Sequence, residues 1–206
     1  MDRRKRVLPR GWYPVDKKEC QREIESYLEG WSSSQPPPSK GLGGIVPHAG
    51  WYFSGKLAAS VFYALKLKSK AEVVVLYGGH LSTEDVPRLV TEEVCETPFG
   101  DIEIHEGFVK HLMKKTDVKK ESPTSGDNTI EIQLAMVKYF FPGAKLVAIR
   151  APLSPKAETL GKEIAEIAKK EGIAILAIGS TDLTHYGPNY GFLAKGIGPT
   201  SVKWVK

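Results

Sequence analysis

Apolar positions along the chain follow two patterns. Short dense runs bounded by glycine read as buried strands, and longer stretches with three-and-four spacing read as helices. Gly43-Gly44-Ile45-Val46 ends in Pro47-His48-Ala49-Gly50, and the valine-rich run Glu72 to Tyr77 ends in Gly78-Gly79-His80. Lys145 to Arg150 and Ile173 to Ile178 are two further strands, the second running into Gly179-Ser180-Thr181-Asp182-Leu183-Thr184-His185-Tyr186-Gly187. Residues 89–96 alternate less cleanly and predict an edge strand, followed by a turn at Pro98 to Asp101.

The helices between these strands have readable ends. Asp16-x-x-Glu19 is a capping box opening a helix that reaches Glu29, with Gly30 as its stop. Ser54 is a favourable N-cap for a helix whose inward stripe is Leu57, Val61 and Leu65, with Ala58 and Phe62 beside them. Residues 106–115 predict a helix, as does Ile130 to Phe140, which Asn128-x-x-Glu131 opens and Pro142-Gly143 stops. Ser154-Pro155 starts another that runs to Lys169-Lys170 and ends at Gly172. Residues 1–14 predict an irregular arm, Ser32 to Ser39 a loop, and Asn189 onward a glycine-rich loop entering a helix at Thr200 to Val205.

This order, broadly βαβ…αβαβ, predicts an α/β fold: a central, mostly parallel or mixed sheet flanked by helices on both faces. A single domain over residues 1–206 is expected. Because its last helix stops with Trp204 awaiting a partner, a further C-terminal segment is expected to be missing.

Composition narrows the functional classes. With 41% hydrophobic and 26% charged residues the chain suits a soluble globular protein, and no apolar run reaches the length of a membrane span. The net charge of +5 is concentrated in Arg3, Arg4, Lys5, Arg6 and Arg10. No stacking motif or groove-reading helix accompanies that arm, so nucleic-acid binding is disfavoured, and no apolar stretch follows it, which excludes a secretory signal. Cys20 and Cys95 supply neither a disulfide framework nor metal-ligand spacing, which points to a reducing cytoplasm. The abundance of Lys, Glu and Ile hints at a thermophilic source.

Candidate chemistry lies where strands end. His48, His80 and His185 each follow an apolar strand, so in a parallel sheet all three emerge at one edge, where ligands of α/β proteins bind. Convergent neutral imidazoles are a common way to hold a transition metal, although spacing alone does not say which of the three would do so. Asp182 could orient an imidazole or cap a turn. Tyr52, Tyr77 and Tyr186 adjoin the three histidines as pocket wall or proton donors. His105 and His111 belong to a surface helix and read as ordinary.

Several blocks occur together in a known order: Gly11-Trp12-Tyr13-Pro14, Pro47 to Gly55, Gly79-His80, Asp127-Asn128-Thr129-Ile130-Glu131 and Ser180 to Gly187. In these the chain resembles the Memo-like (MEMO1) family, which is similar in fold to the class III extradiol ring-cleaving dioxygenases. The resemblance implies a redox-active metal, iron or copper in preference to zinc, with His48 and His80 as ligands. It also implies that His185 acts as acid–base group with Asp182 beside it; Tyr52, Tyr186, Asn128 and Glu131 are the candidate substrate contacts. The family takes a further cysteine ligand from a C-terminal segment that this chain does not contain, and it commonly has histidine where Asn128 stands. Three functions follow as expectations: a metal-dependent redox enzyme acting on a small molecule, an adaptor binding a peptide or protein in the same cleft, or a metal-dependent hydrolase.

Overall fold

The computed structural model describes residues 1–31 and 43–205; the loop expected at Ser32 to Ser39 lies outside the described residues. The chain runs β1 (Arg3–Arg4), α1 (Lys17–Leu28), β2 (Gly43–Val46), α2 (Trp51–Lys66), β3 (Val73–Gly78), β4 (Arg88–Leu89), β5 (Val94–Cys95) and β6 (Ile102–Glu103). It continues with α3 (Glu106–Lys115), β7 (Lys119–Lys120), α4 (Asn128–Phe140), β8 (Lys145–Arg150), α5 (Pro155–Glu171), β9 (Ile175–Ser180), a short 3-10 turn at Pro188–Tyr190 and α6 (Pro199–Val205).

The central sheet has the order β2-β9-β3-β8-β4-β7, its first four strands mutually parallel and β4 antiparallel to β8. This is the expected mixed α/β sheet. Side chains alternate along each strand, so one face carries Val74, Leu76, Leu146, Ala148, Leu176 and Ile178 into a core shared with α1, α2 and α4. The other carries Val73, Val75, Val147 and Ile149 against Phe108 and Leu112 of α3 and Leu160 and Ile164 of α5. A one-residue slip would exchange the two sets, so the double burial fixes the register. No helix among the described residues is long and apolar enough to cross a membrane.

Helix ends follow the local signals at α1 and α5. Asp16 Oδ1 accepts from the Lys18 and Glu19 amides at 2.8 and 3.1 Å, and Gly172 closes α5 at φ 68°. Four readings change. First, α2 starts at Trp51, so Ser54 is not its cap but lies inside it, its Oγ donating to Ala49 O. The Trp51 amide donates instead to Trp12 O at 2.8 Å, and Trp51 Nε1 donates to Ile132 O. Anchoring this tryptophan turns Ala58, Phe62 and Leu65 inward and leaves Leu57 66% exposed.

Second, residues 89–96 are not one edge strand: Arg88–Leu89 joins the central sheet, and Val94–Cys95 joins a separate sheet of order β1-β5-β6. The chain breaks where the buried Glu92 accepts from Arg4 Nη1 at 3.1 Å. Third, α4 is capped by Asp127, whose Oδ1 accepts the Thr129 amide at 3.0 Å, not by an Asn128–Glu131 box. Fourth, the N-terminal arm is not irregular throughout, since Arg3–Arg4 pairs with β5. The Glu131 carboxylate accepts the Val7 and Leu8 amides at 2.8 and 3.0 Å and the Tyr13 hydroxyl at 3.0 Å.

Candidate functional site

Strands β2, β9 and β3 are parallel neighbours, so their carboxyl ends form one edge of the sheet. His48 follows β2, His80 follows β3 and His185 follows β9, and all three line one cleft of about 570 Å³ together with Asp182 and Tyr77. β2 and β3 stand two strand spacings apart, roughly 9.5 Å. The His48 and His80 rings nevertheless lean over the end of β9 until their centroids are 4.8 Å apart, nearly edge to face.

Each ring is set by its loop. His80 is the only non-glycine among the described residues with a left-handed backbone, at φ 60°, a conformation that costs about 1–2 kcal/mol. Its Nδ1 lies 3.0 Å from Asp127 Oδ2. A carboxylate only accepts, so in the neutral ring Nδ1 carries the proton and Nε2 keeps a free lone pair. Asp127 thus caps α4 with one oxygen and orients His80 with the other. Just upstream, Gly78 makes this approach possible: a Cβ there would stand 2.2 Å from Thr129 Oγ1, the hydroxyl that accepts the Gly79 amide.

His48 is buried, 6% exposed. Its amide donates to Asp182 Oδ1 at 2.8 Å, its carbonyl accepts Asn128 Nδ2 at 2.7 Å, and its ring Nε2 lies 3.8 Å from Asp182 Oδ2. Its Nδ1 is buried without a partner among the described residues. His185 is half-exposed, with Nε2 3.2 Å from Asp182 Oδ2 and its ring stacked on Tyr190 at 4.7 Å. Burial pushes the Asp182 carboxyl up, but the His48 amide, the His185 bond and the charge of both imidazoles outweigh it, and the net shift is below the ordinary value. Burial also pushes the Tyr77 phenol up to about 12, so it stays protonated near neutrality.

The donor set fits a transition metal. His80 has a carboxylate within hydrogen-bond reach of one nitrogen, the arrangement that orients metal-binding histidines, while the neighbouring His48 has a carboxylate 3.8 Å from Nε2 and a buried Nδ1 with no partner among the described residues. Among the described residues no group of three or more His, Cys, Asp or Glu side chains is arranged to hold a metal ion. Cys20 and Cys95 lie buried in the core, their thiols pushed up to about 12 by burial, and neither lines the cleft.

The four expected substrate contacts are distributed differently. Asn128 holds the His48 carbonyl. Tyr52 is 87% exposed on α2 with its ring against Phe53, Tyr186 donates to Gly196 O at 2.7 Å and packs on Phe192 and Trp204, and Glu131 ties down the arm. None of these three lines the cleft. His105 caps α3 and His111 pairs with Glu163, both away from it. Two residues of the site escaped sequence reasoning. Asp127 carried an N-cap signal in Gly126-Asp127-Asn128-Thr129. Arg150, 13% exposed at the end of β8, carried only the oddity of a charge closing an apolar strand.

The fold and site define an α/β protein that gathers imidazoles and carboxylates at the strand ends of a mixed sheet. Residues 4–203 match the model of the Memo-like protein family, and the chain belongs to that family. A MEMO1 family protein of Pyrobaculum arsenaticum is 28% identical over 197 residues, covering 90% of this chain and 70% of the relative. One from Caldivirga maquilingensis is 31% identical over 153 residues, 70% of this chain and 53% of its own length. One from Methanopyrus kandleri is 30% identical over 190 residues, 86% of this chain and 67% of the relative. The chain therefore spans between about half and seven-tenths of the length of these relatives.

Proposed function

We propose that this protein binds a redox-active transition metal, iron or copper in preference to zinc, with His48 and His80 as the protein donors. The observation that carries this is the ring pair itself: centroids 4.8 Å apart, with His80 Nδ1 committed to Asp127 so that Nε2 is free. The likeness of Memo-like proteins to class III extradiol dioxygenases favours iron or copper, and such a metal, when bound, supplies electron transfer at these donors.

The chain's own residues then divide the remaining work. Asp182 holds His185 through Nε2, leaving Nδ1 to accept or deliver a proton. Tyr77 presents a protonated phenol to the cleft wall. Leu81, Leu153 and Leu183 give the cleft an apolar mouth that displaces water from a small organic substrate. Both cysteines are free and buried, which suits the cytoplasm.

A second reading, an adaptor that seats a peptide or protein in the same cleft, is favoured by the 90% exposure of Leu153 and 85% exposure of Leu183 at its rim. Anaerobic titration with ferrous and cupric salts, followed by O₂ uptake with a panel of catechols, separates the two. Binding followed by uptake is expected of the redox enzyme, and binding without uptake of the adaptor. Absence of binding overturns the proposal, and product release from esters or amides with zinc replaces it by hydrolysis.

A further inference from the structure

Arg150 closes β8 directly beside Gly78, its partner in register on β3, so its side chain starts next to the turn that carries His80. The guanidinium is surrounded by as many oxygens as it has N–H donors. Nε donates to Gly79 O at 3.0 Å, Nη1 to Glu121 Oε2 at 3.0 Å and Ser125 Oγ at 3.4 Å, and Nη2 to His80 O at 3.3 Å, with Asp127 Oδ2 3.2 Å from Nη2. The partner carboxylates are as deeply buried as the cation: Glu121 is 6% exposed and Asp127 8%.

An ion pair alone would need only the two carboxylates. Two of the contacts go instead to the backbone carbonyls of Gly79 and His80, the segment held in the left-handed conformation. A third goes to the oxygen of Asp127 that also faces His80 Nδ1. The same planar fork therefore fixes the main chain of His80 and the carboxylate that selects its tautomer. Lysine, with three donors at a point, could not reach this set of acceptors.

We propose that Arg150 is the positioning residue that sets how His80 is presented to the cleft: it pins the left-handed turn and aims Asp127 so that the ring keeps its proton on Nδ1 and offers Nε2 beside His48. The role of that Nε2 as a metal donor rests on the function proposed above; the presentation itself does not.

The test uses the metal-free protein and long-range ¹H–¹⁵N spectra of the histidine rings, in wild type, Arg150→Lys and Arg150→Met. Expected is an Nδ1-protonated His80 in wild type that reverts to mainly the Nε2-protonated form in both variants, with the tautomer of His185, which pairs with Asp182, unchanged. A purely structural arginine would lower the melting temperature and leave the tautomer alone. An Nε2-protonated His80 in wild type, or an unchanged tautomer in a folded variant, overturns the proposal. If Arg150→Met does not fold, Arg150→Lys, which keeps a cation between Glu121 and Asp127, carries the comparison. In parallel ferrous titrations, Arg150→Lys should bind about tenfold or more weakly, the usual cost of losing a group that orients a metal ligand. A wild type that binds no ferrous ion overturns the donor reading and leaves the tautomer result standing; a wild type that binds, with a tautomer indifferent to Arg150, overturns the positioning role alone.

Discussion

The amide of His48 donates to Asp182 Oδ1 at 2.8 Å, so the carboxylate that fixes the loop after β2 is the same one that faces His185 Nε2 at 3.2 Å. One side chain thereby couples the geometry of an expected metal donor to that of an expected proton carrier, across a sequence separation of 134 positions.

That coupling has a pH signature. The Asp182 carboxyl lies below its ordinary value when folded, so its contribution is fully present above the unfolded value of about 3.9 and is lost as pH falls through the folded one. Asp182→Asn should destabilise the metal-free protein by about 1.5–3 kcal/mol at pH 7, the range for a hydrogen bond to a charged group. Below about pH 4 the gap between variant and wild type should narrow. Urea unfolding at a series of pH values measures both; a gap constant down to pH 2 would contradict the assignment.

Glu131 lies under the N-terminal arm and not in the cleft. Glu131→Gln keeps one acceptor for three donors, and a loss of about 1–3 kcal/mol is expected, with faster hydrogen exchange at the Val7 and Leu8 amides and unchanged metal binding. Exchange mass spectrometry and metal titration together distinguish this from a role in substrate binding.

Gly78 and Gly79 are adjacent but not equivalent. A Cβ on Gly78 would meet Thr129 Oγ1 at 2.2 Å, whereas one on Gly79 meets nothing within 4 Å. Gly78→Ala should cost about 1–3 kcal/mol, as overpacking does, and Gly79→Ala should lie within about 0.5 kcal/mol of wild type, as surface changes do. Thermal melts of the pair check this.

Much of the framework was legible because local signals and burial agreed. The Val73–Leu76 run, the Asp16 cap and the Gly172 stop are each decided within a few residues, and histidines following parallel strands must emerge on one edge. What was not legible depended on distant partners. Ser54 has a cap's chemistry, but Trp12 supplies the acceptor for the first turn of α2, and Trp51 sets which face turns inward. Asn128-x-x-Glu131 has the spacing of a capping box, yet the carboxylate is claimed by amides 123 and 124 residues away. Tyr52 and Tyr186 adjoin site histidines in sequence, but one extends from α2 and the other packs on Trp204.

Cys20 and Cys95 are both fully buried with thiols raised to about 12. At pH 8 only about one thiol in ten thousand would be ionised, so neither should react with an aromatic disulfide reagent in the native protein, and both should react on unfolding. Rapid labelling of the native protein would show that one of them is accessible.

Metal content of the purified His48→Ala, His80→Ala and His185→Ala proteins, each loaded anaerobically with ferrous or cupric ion and desalted, tests the proposed division of roles most directly. His48→Ala and His80→Ala should each weaken binding by at least about tenfold to a hundredfold, the loss expected at minimum from disturbing a metal ligand, while His185→Ala retains nearly the wild-type content. Equal losses in all three, or full retention in either of the first two, would contradict it.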